Sequence, residues 1–222
     1  MTYVSRDFSS ETPTEATAVE LAGIRSPYNR FGKRELDLAL CLLAAPFVLL
    51  VVGLMALAVR LEGGPVFYRQ KRLGQNGRVF EILKIRTMVV DADRKLKEYL
   101  ASDAAARAEW DHNQKLINDP RITWVGRFLR RTSLDELPQL WNVFRGDMAI
   151  VGPRPMTVEQ APLYPGTAYY RLRPGITGPW QVSDRHETSF AARAIYDTAY
   201  AQSLSFREDL SILGKTVGVV LR

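Results

Sequence analysis

A long apolar segment near the N-terminus dominates the pattern of the chain. No charged residue occurs from Leu38 to Val59. As a helix rising about 1.5 Å per residue, this segment would extend about 33 Å, enough to cross the hydrocarbon core of a bilayer. The pattern therefore predicts a helix that enters the membrane, with a buried helix of a soluble core as the alternative.

Two features of the segment argue against a simple crossing. Pro46 lies inside it and leaves the carbonyl group four residues earlier without a partner, which predicts a bend. Positive charge marks the cytoplasmic side of a membrane, so flanking cations at both ends place both ends there. A bent helix that enters one leaflet and returns satisfies both features, and a spanning helix stays open. The flanking cations are Arg30, Lys33, Arg34, Arg60, Arg69, Lys71 and Arg72.

Polar residues dominate the chain before this helix. Residues 1–30 are rich in Ser, Thr, Glu and Ala and show no apolar periodicity, which predicts a disordered or flexible tail. The tail lacks the apolar core of a secretory signal. The predicted organisation is a tail at residues 1–30, a membrane helix at 31–61 and a cytoplasmic domain at 62–222.

Two alternating segments follow the membrane helix. Val66–Gln70 and Val79–Arg86 flank a Gly-Gln-Asn-Gly turn at residues 74–77, which predicts a β-hairpin. Lys84 and Arg86 fall on one face of the second strand. That face is either simply solvated or able to hold a phosphate between two cations.

Two further segments predict helices. Val89–Leu116 is mostly polar and predicts a surface helix without chemistry. Phe206–Arg222 is amphipathic, with Leu210, Leu213 and Val217 on one face. That face predicts either packing on the core or a helix lying in the membrane interface, with core or mixed packing slightly favoured.

The candidate chemistry centres on two adjacent acids, Asp135 and Glu136. Ser133-x-x-Glu136 has the spacing of a capping box, which predicts that both acids lie in the first turn of a helix. There the backbone N–H groups and the helix dipole keep a carboxylate ionised. Pro138 shifts the predicted helix start toward Leu137. Ordinary capping is the alternative interpretation of this stretch.

Arginines surround the acidic pair along the chain. Arg130 lies just before it, and Arg154 lies in a Gly-Pro-Arg-Pro sequence whose two prolines fix the backbone around it. A rigidly placed guanidinium suits bidentate phosphate binding. Ionised carboxylates among arginines are typical of phosphate chemistry that uses a divalent metal.

The overall charge agrees with anionic partners. The chain of 222 residues has 30 Lys plus Arg against 24 Asp plus Glu. This excess points to nucleic acid, anionic lipid or a phosphorylated small molecule. A single cysteine, Cys41, excludes an internal disulfide, and two histidines without a cysteine cluster argue against a zinc site.

Several segments, taken in order, resemble the bacterial sugar transferase family, the small monotopic phosphoglycosyl transferases. The resemblance runs from about Phe31 to Arg222. Besides the proline-containing apolar helix, it rests on Lys84-Ile85-Arg86-Thr87-Met88, Asn118-Asp119-Pro120-Arg121-Ile122-Thr123, the segment from Arg131 to Leu140, Gly146-Asp147-Met148, Gly152-Pro153-Arg154-Pro155 and Arg173-Pro174-Gly175-Ile176-Thr177-Gly178.

The resemblance implies an enzyme of the bacterial inner (cytoplasmic) membrane with its catalytic domain on the cytoplasmic face. It would move hexose 1-phosphate from a UDP-hexose, galactose or glucose, to undecaprenyl phosphate, starting exopolysaccharide or related glycoconjugate synthesis. The implied fold is α+β, mostly helical, with a β-hairpin, a Pro-broken re-entrant membrane helix and interfacial amphipathic helices. Membrane lipid is an expected partner and nucleic acid is not; a homo-oligomer is neither indicated nor excluded.

The resemblance also implies roles for single residues. Asp135 would attack the phosphate next to the sugar and carry an aspartyl-phosphosugar, and Glu136 would bind Mg²⁺. Arg130 and Arg154 would hold phosphates, with Lys84 and Arg86 as further phosphate ligands. Pro46 would shape the membrane anchor.

Two positions depart from the family pattern. Many members have Ser before the helix proline, where this chain has Ala45, so another group must satisfy the freed carbonyl or the bend differs. Many have Gly-Arg after Gln181-Val182-Ser183, where this chain has Asp184-Arg185. That loop is a candidate to face the sugar, so the donor is not read from the sequence.

Two other functional classes stay open. The basic balance and the Trp and Tyr residues suggest a membrane-tethered nucleic-acid binder, but the cations are spread over many motifs and form no dense recognition helix. A non-catalytic scaffold of a polysaccharide assembly complex is the second alternative.

Overall fold

The computed structural model describes residues 23–113, 116–183 and 190–220. A π-helical turn, Tyr28–Gly32, leads into the first helix. The helices and strands, in chain order, are α1 (Lys33–Leu61), β1 (Phe67–Leu73), β2 (Val79–Ile85), α2 (Ala92–Ser102), α3 (Ala104–Asn113), α4 (Trp124–Thr132), α5 (Leu140–Arg145), β3 (Ala149–Val151), α6 (Ala168–Arg171), β4 (Gly175–Thr177), α7 (Arg193–Ser203) and α8 (Phe206–Val220). The architecture is α+β and mostly helical, as the sequence predicts.

Helix α1 is the predicted apolar helix. It is one continuous helix with Pro46 inside it, so the prediction of a helix broken at this proline is wrong; a proline removes one backbone donor but leaves the neighbouring hydrogen bonds of the helix available. Its apolar side chains face outward, with Leu43 81% exposed and Leu49 71% exposed. Within the described residues it is the helix long and apolar enough to cross a membrane. The alternative of a buried helix in a soluble core is therefore wrong.

The first turns of α1 are fixed to the rest of the protein by polar contacts. The ammonium group of Lys33 lies 2.6 Å from Oδ2 of Asp209 in α8, and both residues are buried. Arg34 donates hydrogen bonds to the carbonyl oxygens of Val143 (2.6 Å) and Phe144 (2.9 Å) near the end of α5. These carbonyls belong to the last turn of a helix, where a cation is favourable.

The far end of α1 packs on the same domain. Val59 is fully buried against Ile85 of β2 and Leu129 of α4, and Val52 and Met55 lie beside this cluster. Nearer the start of α1, the sulfur-bearing side chain Cys41 is buried in a second cluster, with Phe80, Ile82, Val143 and Met148. The helix thus contacts one domain on both sides of Pro46.

The predicted hairpin is confirmed. Strands β1 and β2 pair antiparallel, from Phe67 opposite Ile85 to Leu73 opposite Val79. A short 3₁₀ turn, Gln75–Gly77, joins them, and its last two residues have positive φ. Asparagine and glycine tolerate that conformation best. The first strand is longer than predicted, because pairing continues to Leu73.

A second, smaller sheet lies behind the Gly-Pro-Arg-Pro sequence. Strands β3 and β4 pair in parallel, with Ala149 opposite Gly175. A Cβ atom on Gly178 would lie 1.9 Å from the carbonyl oxygen of Gly152, so the close approach of the two backbones requires glycine there. This contact fixes the backbone that presents Arg154.

The prediction for the polar surface helix needs correction. The polar surface helix is two helices, because Asp103 adopts an extended conformation and its carboxylate accepts from the Ala106 N–H at 2.9 Å, capping α3. The predicted apolar face of α8 is largely open, with Leu210 47% and Val217 59% exposed; the inward face carries Asp209 and Ile212. Leu213 of the predicted face packs on the core cluster that includes Ile212, so the packing is mixed, in line with the slightly favoured prediction.

Part of the predicted tail packs against the C-terminal helices. Tyr28 donates a hydrogen bond of 2.7 Å to Asp209, and Asn29 donates one of 2.7 Å to the carbonyl of Ile24. A Cβ atom on Gly23 would lie 2.3 Å from the carbonyl oxygen of Ala201. Residues 23–30 are therefore ordered; residues 1–22 lie outside the described part of the chain.

Candidate active site

The two acids lie in the connection between α4 and α5. Ser133 ends α4 in the left-handed conformation (φ +56°), and a 3₁₀ helix, Leu134–Gln139, follows it. The Ser133 side chain makes no capping hydrogen bond, so the predicted capping box is wrong. Pro138 lacks the N–H that an α-helical turn here would need, and regular α-helix begins only at Leu140. The acids do lie in a first helical turn, but of a 3₁₀ helix.

Asp135 and Glu136, called the dyad below, face the second strand of the hairpin. The ammonium group of Lys84 lies 2.6 Å from Oε1 of Glu136, and Asp135 is buried, with 8% of its surface exposed. Asn142 of α5 locks this arrangement: its amide accepts from the Leu83 N–H at 3.0 Å and donates to the Glu81 carbonyl at 2.7 Å. The Asn142 side chain thus forms hydrogen bonds with the backbone of β2 as a neighbouring strand would. These bonds fix the position of the dyad relative to Lys84.

The surroundings shift the pKa values of the two carboxyl groups in opposite directions. Burial raises the pKa of Asp135, and Glu136 adds to the rise against the opposing charges of Lys84 and Arg130. Burial also acts to raise the pKa of Glu136, but Lys84, Arg154 and other cations outweigh it, so that its pKa is lowered. Glu136 is therefore held ionised by cations, whereas the charge of Asp135 is poorly solvated. Adjacent acids whose pKa values are pushed apart are typical of sites with two chemical roles.

Arg130 is held in place by the segment after β2. Its Nε donates a hydrogen bond of 2.8 Å to Oγ1 of Thr87. Helix α4 approaches this segment closely at Gly126, where a Cβ atom would lie 2.1 Å from the Thr87 carbonyl oxygen. Burial lowers the pKa of Arg130, partly offset by Asp135 and Asp119. The guanidinium is thus held beside the dyad by Thr87, although Arg130 as a residue is exposed.

Arg86 occupies a different position from Lys84. It is buried and donates through Nη2 to the Gly63 carbonyl at the end of α1. Its Nε and Nη1 have no hydrogen-bond partner among the described residues. Arg86 therefore connects the membrane helix to the site and still offers two donors.

The six residues predicted for catalysis and phosphate binding line one cavity of about 890 Å³, which also includes Tyr68, Arg121 and Ser133. The six are Lys84, Arg86, Arg130, Asp135, Glu136 and Arg154. A cavity of this size is within the range of ligand sites in proteins. The structure thus brings together residues that are up to 70 positions apart in the sequence.

A second cavity of about 470 Å³ adjoins the first, and Lys84, Glu136 and Arg154 line both. The smaller cavity is also lined by Arg72, Gln139, Gln160, Trp180 and Arg193. Sequence reasoning assigns none of these to the site. The register of the hairpin could have indicated Arg72. Tyr68 lies opposite Lys84, and Arg72 follows Tyr68 by four residues, so its side chain lies on the same face of the strand. Arg193, on α7, has no such signal.

The site fits Mg²⁺ only in company with a phosphate. Among the described residues, no three His, Cys, Asp or Glu side chains are grouped to hold a metal ion. Mg²⁺ is usually held by one or two carboxylates together with phosphate oxygens and water. Glu136, with its lowered pKa, is a suitable carboxylate. The surrounding cations repel a divalent ion until phosphate oxygens are present.

The departure at Asp184-Arg185 lies outside the described residues. The predicted contact of that loop with the sugar therefore stays a prediction.

Comparison with known proteins places this site in a family. Residues 28–222 match the family model described as bacterial sugar transferase. The chain is 45% identical to the exopolysaccharide production protein ExoY of Sinorhizobium fredii, over 90% of each chain. It is 46% identical to the UDP-galactose-lipid carrier transferase of Erwinia amylovora, covering 87% of this chain and 41% of that protein.

A third relative is the UDP-glucose:undecaprenyl-phosphate glucose-1-phosphate transferase of Caulobacter vibrioides, which is 41% identical over 85% of this chain and 69% of its own length. The chain thus spans less than half of the Erwinia relative and nearly all of the Sinorhizobium one. The matched region contains the whole of both cavities described above.

Proposed function

The chain belongs to the bacterial sugar transferase family, and from that membership we propose that it moves hexose 1-phosphate from a UDP-hexose to undecaprenyl phosphate. The relatives from Erwinia and Caulobacter are named for UDP-galactose and UDP-glucose, so these two nucleotide sugars are the first candidates for the donor. The product would start the assembly of an exopolysaccharide or related glycoconjugate.

The observation that carries this proposal is the meeting of a buried aspartate, an ionised glutamate and several cations at one cavity. Phosphoryl transfer leaves little covalent work to a protein beyond supplying a nucleophile, positioning and charge stabilisation. Asp135 supplies the nucleophile, and Lys84, Arg86, Arg130 and Arg154 supply the charge.

In the first step the Asp135 carboxylate attacks the phosphorus next to the sugar. A bond forms between a carboxylate oxygen and that phosphorus. The bond from phosphorus to the oxygen that bridges the two phosphates breaks, and UMP leaves with the electron pair. Arg154 stabilises the charge that grows on the leaving phosphate, and Arg130 stabilises the charge on the phosphate under attack.

In the second step a phosphate oxygen of undecaprenyl phosphate attacks the same phosphorus. The Asp135 carboxylate leaves with the electron pair of the acyl-phosphate bond, which restores the enzyme. Storing the phosphosugar on the protein lets a water-soluble donor and a lipid acceptor use one site in turn. Mg²⁺, when bound at Glu136, would neutralise charge on the diphosphate.

The membrane helix supports a re-entrant course within one leaflet. Cys41 and Val52 both contact the same domain, and the helix between them rises only about 16 Å. That is about half of the hydrocarbon core of a bilayer. A spanning helix would need its central part free for lipid, whereas contacts with one domain occur at Cys41, Val52 and Val59 along α1. We therefore place both ends of α1 and the catalytic domain on the cytoplasmic face of the inner membrane.

Cysteine labelling tests this topology. In a Cys41→Ala background, which removes the single native cysteine, Glu35→Cys lies in the first turn of α1 and Glu62→Cys directly follows its last residue. An impermeant maleimide should label both in inverted inner-membrane vesicles and neither in intact spheroplasts. Labelling of one site from each side would instead establish a spanning helix.

The activity is tested by UMP release. Purified protein, undecaprenyl phosphate and Mg²⁺ are mixed with UDP-galactose or UDP-glucose in turn. We expect UMP and a lipid-linked product from one of the donors, and loss of both when EDTA removes the metal ion. A non-catalytic scaffold would release no UMP from either donor, and a nucleic-acid binder would instead give a salt-sensitive gel shift.

A further inference from the structure

Three guanidinium groups converge on the smaller cavity. Arg72 comes from β1, Arg154 from the loop after β3, and Arg193 from α7. Burial lowers the pKa of Arg72 and of Arg193, and the nearby charge of Arg154 lowers both pKa values further. Mutual repulsion of this kind is relieved when an anion binds among the cations.

Arg193 is held rigidly and only partly hydrogen-bonded. Its guanidinium carbon lies 4.1 Å from the ring centre of Trp180 and 4.6 Å from that of Phe190. Its Nε is buried and has no hydrogen-bond partner among the described residues. Stacking on aromatic rings fixes a guanidinium while leaving its in-plane N–H donors for a ligand.

Arg72 is placed in a similar way by its own contacts. Its Nη2 donates to the Gln70 side-chain oxygen at 2.6 Å, and its Nη1 donates to the Pro155 carbonyl at 3.3 Å. Its buried Nε has no partner in the described part of the chain. A buried guanidinium with an unused donor is costly unless a ligand completes its hydrogen bonding.

The carboxylates near the cavity do not neutralise these arginines. Glu136 is already bonded to Lys84. Asp197 lies near Arg193, but it accepts a hydrogen bond of 2.8 Å from the Tyr164 hydroxyl, and burial raises its pKa to about 7. The cavity therefore carries a net positive charge that suits a ligand with two or more negative charges.

We propose that Arg72 and Arg193, together with Arg154, bind the phosphate that departs with the nucleoside, so that the smaller cavity is the nucleotide side of the site. This inference rests on the proposed transfer from a UDP-hexose. Lys84, Glu136 and Arg154 form the boundary between the two cavities. The phosphorus under attack lies at that boundary, UMP leaves into the smaller cavity, and Asp135 remains open to the lipid phosphate from the larger one.

Binding of UMP to the detergent-solubilised protein tests the assignment without turnover. In isothermal titration calorimetry, Arg72→Gln and Arg193→Gln are each expected to weaken UMP binding about tenfold or more, the scale of a lost charge-assisted phosphate contact. Arg69→Gln and Arg207→Gln, at exposed positions on β1 and α8, should leave it unchanged. Uridine should bind every variant equally weakly.

A second measurement uses the wild-type protein and does not depend on how well a variant folds. UMP should protect Arg72 and Arg193, but not Arg69 and Arg207, from modification by phenylglyoxal, as mapped by mass spectrometry. Unchanged UMP affinity in both variants, or equal modification with and without UMP, would overturn the assignment. So would variants that lose affinity for a short-chain polyprenyl phosphate while keeping that for UMP.

The two proposals fail in different ways. If the protein binds UMP through Arg72 and Arg193 but releases none from UDP-galactose or UDP-glucose, the nucleotide site is supported and those two donors are excluded. If the protein releases UMP but binds it independently of the two arginines, the proposed activity is supported and the proposed nucleotide site is contradicted.

Discussion

Replacing Asp135 by asparagine is expected to reduce UMP release by at least about a thousandfold, because the amide has no carboxylate oxygen with which to attack phosphorus. The substitution preserves the shape of the side chain. It also removes a carboxyl group whose ionisation burial already disfavours, so the fold should be retained. The measurement is the initial rate of UMP formation from the active UDP-hexose with undecaprenyl phosphate and Mg²⁺.

The matched control is Asp111→Asn on α3, where the carboxylate is exposed and forms an ion pair with Arg107. It should keep the full rate. In a companion experiment, donor without lipid acceptor should leave a hexose phosphate on Asp135 of the wild-type protein, and mass spectrometry of peptides would locate it. Turnover by the Asp135→Asn variant near the wild-type rate would refute the nucleophile assignment.

The parts of the fold that follow from local pattern were predictable from the sequence. An uncharged run gives α1, and two alternating segments around a Gly-Gln-Asn-Gly turn give the hairpin. Both depend on residues that are close along the chain. The Gly-Pro-Arg-Pro sequence likewise restricts its own backbone, and it does present Arg154 to the cavity.

The details of the dyad were less predictable, because two local rules compete there. The spacing of Ser133 and Glu136 favours a capping box, but Ser133 also ends α4 in a left-handed conformation that directs its backbone N–H to the Arg130 and Leu129 carbonyls. Because Ser133 both ends α4 and begins the next helical segment, that segment forms as a 3₁₀ helix. Spacing alone does not reveal which rule prevails.

Arg193 shows the limit of single-sequence reasoning. It reaches the cavity because α7 packs against α6 and Tyr164, and that packing is a long-range property of the fold. In a basic chain, the sequence around Arg193 does not indicate that this packing brings it to the cavity. The same holds for Asn142, whose amide completes β2 from 59 to 61 positions away.

The second large effect is expected where the membrane helix joins the domain. Asp209 receives the Lys33 ammonium group and the hydroxyls of Tyr28 and Tyr200, at 2.6, 2.7 and 2.5 Å respectively. Lys33→Met leaves a buried carboxylate without its counter-ion, and removing one partner of a buried pair costs about 3–5 kcal/mol. Denaturant unfolding in detergent, followed by circular dichroism, should show a corresponding fall in the free energy of unfolding.

Arg107→Met supplies the comparison, because it breaks an exposed pair on α3 that is worth less than about 1 kcal/mol. The double variant Lys33→Met/Asp209→Asn should be more stable than Lys33→Met, since no lone charge stays buried. The amide oxygen still accepts from one tyrosine hydroxyl, and the amide NH2 group can donate to the other hydroxyl oxygen. A Lys33→Met protein as stable as Arg107→Met would show that the ion pair contributes little. If the pair does hold α1 to the domain, it also sets the height of Asp135 above the lipid, and the single variant should lose transfer to undecaprenyl phosphate before it loses UMP binding.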